Sequence, residues 1–406
     1  MKKKKKALSK YQKTVLILAG LIILLALTTI SAKFCDWYTD HIYGPLCDAI
    51  SHLTGQLPFV LGEILMYAGV FLVLGAILHL LLLPFFRRKE RFRTAIKSYF
   101  QTLSVILLIV VLIYMPVWYI PICGTVLGQG NPEKRTTYSY DEVYELMKHF
   151  AAEANAAAKE ISVDEDGRVF FYSPQLHAQL AVSALQNISD EFPRLQGYYP
   201  PIKPALCSDI LDRMGIGGYN YPYTMEPTNN RYISPLYLPC LDAHEYCHHK
   251  GYYKENEAVF LSLLALSRSD DPYLRLEGNV ELYYEMYDAY LIARQNILDQ
   301  LIEAGKVDWP ENINDHESAE RANHIITSYF GKEPRLSQRA RIIISAGADA
   351  QQVIYNADSH VIDSMPLVNK AIEQTADTGW KVQGDLLQEN SYDGATLLIL
   401  QYFYPD

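Results

Sequence analysis

Three long apolar runs constrain this chain more than any other feature. They occupy residues 14–32, 59–86 and 98–122. Each is close to the roughly 20 residues that a helix needs to cross the hydrocarbon layer of a bilayer. Glu63 and His79 are the strongly polar members of the second run. Runs of this length and polarity predict three transmembrane helices, with the lipid bilayer as a partner.

The charged residues divide the chain into two parts of opposite sign. Residues 1–130 carry 14 Lys and Arg against 5 Asp and Glu, whereas the rest of the chain carries 22 against 41. A binding site for phosphate backbones needs a basic face, so we expect no nucleic acid as a partner. We predict a membrane domain over residues 1–124 and a second domain over residues 125–406.

The cations also predict the orientation of the three helices. Seven Lys precede the first run, and six Lys and Arg lie between the second and the third. In the loop over residues 33–58, Lys33 is the only Lys or Arg. The positive-inside rule then places the N-terminus in the cytoplasm. We expect a multi-pass protein of the cell membrane whose residues 125–406 are extracytoplasmic.

One segment of the second domain carries an H-E-x-x-H motif, formed by His244, Glu245 and His248. Residues four apart lie on one face of a helix, so both imidazoles can bind one metal ion. Glu245 is rotated by about 100° from His244, which lets it reach a metal-activated water without ligating the metal. The motif predicts one Zn²⁺ per chain with Glu245 as the catalytic base.

A catalytic zinc site needs a third protein ligand and one open position. Gly251 is placed to end the helix of the motif, and the next helix begins with Glu255 and Glu257. Either carboxylate can supply the third ligand. We interpret His249 as a surface or supporting residue and Cys247 as a packing residue.

The motif and its surroundings resemble a bacterial family of membrane proteins known as domain of unknown function 3810. In that family a Gly and an acidic E-x-E-A segment follow H-E-x-x-H, as Gly251 and Glu255-Asn-Glu257-Ala258 do here. The resemblance implies an H-E-x-x-H zinc metallopeptidase. Three further stretches are similar to the family: Leu57–Glu63, Gly215–Glu226 and Ser391–Leu398.

The choice between the two carboxylates also depends on a resemblance. The Glu-Ala pair is similar to that of zinc peptidases whose third ligand is the Glu immediately before the Ala. This likeness favours Glu257 over Glu255, which would then be a solvated charge at the helix start. The predicted metal ligands are therefore His244, His248 and Glu257.

The second domain is expected to be mainly helical. Gly, Pro, Asn and Tyr dominate Gly215–Arg231, which predicts short strands with turns. This segment is our candidate for an edge that binds extended substrate or for the loop beside that edge, and the alternative is a plain surface loop. Glu277, Glu281 and Glu285 are interpreted as a solvated helix face. Helical patterns cover residues 141–161, 173–188, 241–250, 256–267, 280–304, 317–329, 337–355 and 392–404.

These patterns lead to one fold class and two functional hypotheses. The fold class is mainly α, with three transmembrane helices followed by an α+β zincin-like extracytoplasmic domain. The first hypothesis is a membrane-anchored zinc peptidase that hydrolyses peptide bonds of a peptide or protein substrate by metal-activated water. The alternative is a catalytically silent zinc-binding sensor or partner-binding module.

Overall fold

The structure, a computed structural model, describes residues 8–127, 135–166, 168–310, 313–357 and 393–405. Ser391 and Tyr392, at the start of the last predicted helix, lie outside these residues. The strands are β1 (Lys203–Pro204), β2 (Gly218–Tyr221) and β3 (Glu226–Asn229). The helices are α1 (Lys10–Thr28), α2 (Ala32–Tyr38), α3 (Gly44–Thr54), α4 (Leu61–Phe86), α5 (Glu90–Tyr114), α6 (Ile120–Ile122), α7 (Tyr140–Glu160), α8 (Pro174–Asn187), α9 (Ser208–Arg213), α10 (Leu238–His249), α11 (Glu255–Ser267), α12 (Pro272–Glu303), α13 (His316–Phe330), α14 (Gln338–Ala357) and α15 (Asp393–Phe403).

Three helical segments are long and apolar enough to cross a membrane: Lys10–Thr28, Leu61–Phe86 and Glu90–Ile122. This confirms the prediction of three membrane-length apolar helices, although four of the six bounds differ by two to eight residues. The first helix ends at Thr28, because the Ser31 side chain caps a new helix, α2. The third begins at Glu90, because the basic segment before the apolar run is helical as well.

The described residues fall into two compact units that alternate along the chain. Unit 1 comprises Met1–Val126, Phe192–Arg231 and Glu245–Lys254, and unit 2 comprises Leu127–Glu191, Tyr232–His244 and Glu255–Asp406.

Unit 1 contains the three-stranded sheet, in the order β1-β3-β2. β3 pairs in parallel with β1 and antiparallel with β2, with Gly218 opposite Asn229 and Tyr221 opposite Glu226. The predicted strands within Gly215–Arg231 are therefore present, and β2 forms one edge of the sheet.

A buried aromatic and sulfur-containing cluster forms a core of unit 1 outside this sheet. The Tyr43 hydroxyl is 2.8 Å from that of Tyr253, and the Tyr253 hydroxyl donates to the Val117 carbonyl at 2.8 Å. Residues far apart in the chain thus pack together at the end of the third apolar helix. The buried members of the cluster are Cys35, Tyr38, Tyr43, Cys47, Val117, Ile120, Met225 and Tyr253.

Unit 2 is organised around α12, which packs against α7 and α11. The helix begins eight residues before the predicted start, because Asp271 caps its N-terminus and Pro272 suits its first turn. At Gly278 it approaches α11 so closely that a Cβ atom would lie 2.4 Å from the Ser267 nitrogen. Only glycine allows this crossing.

The interpretation of the α12 carboxylates as a solvated face is wrong for Glu277, whose exposed fraction is 3%. Burial and the neighbouring Glu281 hold the pKa of Glu277 well above its usual range. Burial and the neighbouring Glu285 raise the pKa of Glu281 to about 7. The three carboxylates follow the helical repeat as predicted, but the first of them, Glu277, faces the interior.

Candidate metal centre

The H-E-x-x-H motif lies on α10, which ends two residues before Gly251, close to the predicted stop. Gly251 has φ +89°, a left-handed conformation that favours glycine. A Cβ atom there would also lie 2.9 Å from Cγ2 of Thr39. The turn that leads from α10 to α11 therefore needs glycine both for its conformation and for space.

Three side chains of this helix–turn–helix segment form a possible metal-binding group. One ligand atom from each of His244, His248 and Glu255 lies within 4.8 Å of the others. Nε2 of His244 is 3.1 Å from Oε2 of Glu255. The two side chains are 18% and 15% exposed, so the group is largely sheltered and still reachable from solvent.

The hydrogen bond of His248 orients its imidazole for metal binding. Nδ1 of His248 lies 2.8 Å from the Tyr252 carbonyl oxygen. A carbonyl oxygen only accepts, so Nδ1 carries the proton and Nε2 keeps its lone pair. Hydrogen bonds of this kind fix the tautomer of metal-ligating histidines.

Glu245 is buried beside the edge strand β2, with an exposed fraction of 3%. A Cβ atom at Gly218 would lie 2.9 Å from Oε1 of Glu245 and 2.5 Å from the Thr228 carbonyl oxygen. Any larger residue at position 218 would displace the carboxylate or the strand. No sequence signal distinguished Gly218 from the other glycines of its segment.

The arrangement does not support the preference for Glu257 as the third ligand. The carboxylate of Glu257 instead accepts a hydrogen bond from the Leu127 amide at 2.7 Å. Residues two apart on a helix point about 200° apart, so Glu255 and Glu257 cannot face the same group. Glu255 therefore replaces Glu257 as the candidate ligand beside His244 and His248.

His249 is buried in unit 1, with an exposed fraction of 0%, instead of lying at the surface. Its backbone carbonyl accepts hydrogen bonds from the Tyr43 hydroxyl at 3.1 Å and from the Cys47 thiol at 3.2 Å. Burial lowers the pKa of its imidazole to about 3. His249 thus anchors the end of α10 to the core of unit 1.

Comparison with known proteins places this site within a family. No curated protein and no solved structure matches the chain. The family described as "Protein of unknown function (DUF3810)" matches residues 38–330, which include the apolar helices α4 and α5 and the whole candidate metal centre. Because the match covers more than half of the 406 residues, the chain belongs to the DUF3810 family.

Proposed function

We propose that this protein is a membrane-anchored, zinc-dependent peptidase. The observation that carries the proposal is the grouping of His244, His248 and Glu255 within 4.8 Å, on the helix that also bears Glu245. Two imidazoles and one carboxylate are the ligand set of many catalytic zinc sites, which keep a fourth position open. One Zn²⁺ per chain is expected.

The donor atoms fit a zinc ion by their chemistry. His248 presents Nε2, because its Nδ1 donates to the Tyr252 carbonyl. The carboxylate of Glu255 lies 3.1 Å from Nε2 of His244, and a metal ion held by both side chains would offset the desolvation cost of this sheltered carboxylate. A zinc ion held by these three side chains would lower the pKa of a bound water and polarise a substrate carbonyl group.

Glu245 is the proposed catalytic residue. Its carboxylate accepts a proton from the attacking water and later donates it to the leaving amine. Its burial against Gly218 restricts the movement of the carboxylate, which favours a fixed geometry for proton transfer.

The edge of β2 is the proposed binding surface for an extended peptide. Asn230 donates its N–H to the Gly217 carbonyl at 2.6 Å, so residues 217 and 230 form a hydrogen-bonded pair. Because such pairs alternate along antiparallel strands, the N–H and C=O groups of Gly218 and Asn220 point away from β3. A peptide strand can pair with these groups largely irrespective of its sequence.

The proposed location is the extracytoplasmic side of the membrane, and the distribution of Lys and Arg around the apolar helices supports it. A membrane-impermeant thiol reagent tests this in intact cells, in a variant without other cysteines. We expect labelling of Glu317→Cys and none of Thr94→Cys. The opposite pattern would place the site in the cytoplasm.

Peptide cleavage and zinc content test the proposed activity in the purified full-length protein. We expect Glu245→Gln to keep one zinc per chain and to lose at least about 100-fold in kcat, because a general base contributes on this scale. Glu145→Gln, at a position 57% exposed, is the matched control. Equal cleavage by the Glu245→Gln variant with zinc bound would favour a catalytically silent zinc module.

The same preparations test the ligand set. Glu255→Ala should remove most of the zinc, as should His244→Ala, because each deletes one of three protein ligands. Glu257→Ala should retain it, because this carboxylate binds the Leu127 amide. Zinc loss only in Glu257→Ala would restore the choice made from the sequence.

A further inference from the structure

We infer that the preferred substrates are membrane-anchored polypeptides, cut within about ten residues of the bilayer surface. This substrate class rests on the proposed peptidase function and adds to it a source and a position of cleavage. It follows from where the two ends of β2 lie within unit 1.

One end of β2 lies at the proposed catalytic base and the other lies at an apolar helix. Gly218 is the residue that makes room for the Glu245 carboxylate. Tyr221 packs on Gly62, where a Cβ atom would lie only 2.4 Å from the tyrosine ring. Gly62 is in the first turn of Leu61–Phe86, the second candidate membrane span. Three residues of strand, about 10 Å, separate the two contacts.

The turn that follows α10 makes a second, independent contact with the membrane helices. The Tyr253 hydroxyl donates to the carbonyl of Val117, and its ring lies 4.6 Å from that of Trp118. Both partners belong to the end of Glu90–Ile122, the third candidate span. The second span begins and the third span ends on the same side of a membrane. Both contacts therefore place β2 and the turn after α10 next to span ends that lie on the same side of a membrane.

Buried charges hold the sheet to the second span. Glu226 accepts hydrogen bonds from the backbone amides of Leu61 and Gly62, at 3.1 and 2.9 Å, and from Nζ of Lys203 at 2.7 Å. Glu63, in the second span, accepts hydrogen bonds from the backbone amides of Leu206 and Cys207 at 2.8 and 2.9 Å. Breaking these contacts would leave buried charges uncompensated, so β2 stays at the start of the span.

A polypeptide that leaves the bilayer next to the second span therefore starts close to β2, an edge strand of the described sheet. At about 3.3 Å per extended residue, three to five residues bring it to Glu245. Its membrane anchor keeps it at a high local concentration beside the edge, an advantage that a soluble peptide lacks.

The test uses full-length protein reconstituted in liposomes with two matched reporter pools. Each pool carries the same mixed-sequence stems of 30 residues, fused either to one apolar membrane-spanning helix or to no helix. Mass spectrometry identifies the cut positions and gives the rates. We expect the anchored pool to be cut at least about tenfold faster, with cuts concentrated in the ten residues nearest the span. Glu245→Gln should abolish both.

The outcomes separate this inference from the proposed function. Equal rates for the two pools, or cuts spread evenly along the anchored stems, would overturn the membrane-proximal substrate class and leave the peptidase intact. Absence of zinc-dependent cleavage in either pool would overturn the peptidase proposal, and this inference with it.

Discussion

The two units bury carboxylates in opposite ways. In unit 1, Glu63 and Glu226 are 0% and 1% exposed, and each accepts hydrogen bonds from two backbone amides. In unit 2, Glu277 is 3% exposed, and it and Glu281 have raised pKa values because of burial and the nearby carboxylates. The degree of burial of Glu63, Glu226 and Glu277 is similar, so the neighbouring groups decide whether a buried carboxylate holds two segments together, as in unit 1, or has a raised pKa, as in unit 2.

The largest effect should come from Glu226→Gln. The substitution leaves the Lys203 ammonium buried without its counter-charge and turns an amide group toward backbone donors, so we expect a loss of about 3–5 kcal/mol in the free energy of unfolding. Thermal unfolding in detergent measures it, with the exposed Glu145→Gln as control. A loss below about 1 kcal/mol would show that the ion pair does not fasten the sheet.

A medium effect should appear as a pH dependence in unit 2. The pKa of Glu281 is raised to about 7, so the folded state binds more protons than the unfolded state between pH 4.5 and 7. Its stabilising contribution is present below pH 4.5 and is lost as the pH rises through 7, by up to about 3 kcal/mol. Hydrogen exchange of α12 amides measures this. Glu281→Gln should flatten the dependence, and an unchanged slope would contradict the assignment.

The smallest effect should come from Glu277→Gln. A protonated carboxyl and an amide are similar in shape and are both neutral, so we expect a change below about 1 kcal/mol at pH 7. The same unfolding measurement as for Glu226→Gln applies. A loss as large as that of Glu226→Gln would mean that Glu277 is ionised and paired, and the contrast between the units would disappear.

The sequence predicted the features that depend on local spacing. The three apolar helices follow from hydropathy along the chain, and the facing of His244 and His248 follows from the helical repeat. The strands within Gly215–Arg231 follow from residue type and turn signals. In each case the information lies within a window of about 20 residues.

The features that depend on distant contacts could not be predicted. The choice of Glu255 over Glu257 depends on which face of α11 turns toward the histidines, and the partner of Glu257 is Leu127, 130 residues earlier. The burial of Glu277 depends on the close crossing of α12 and α11 at Gly278. Neither pairing leaves a periodic signal in the sequence.

The separation of 143 residues between Glu63 and its partner Leu206 has a consequence for biosynthesis. At about 5–20 residues per second, the ribosome needs on the order of 10 s to supply that segment after the second span has been made. During this interval the nascent chain carries a carboxylate that has not yet met its backbone donors. Unit 1 can therefore be completed only after the third apolar helix has been synthesised, which makes its assembly a late step of biosynthesis.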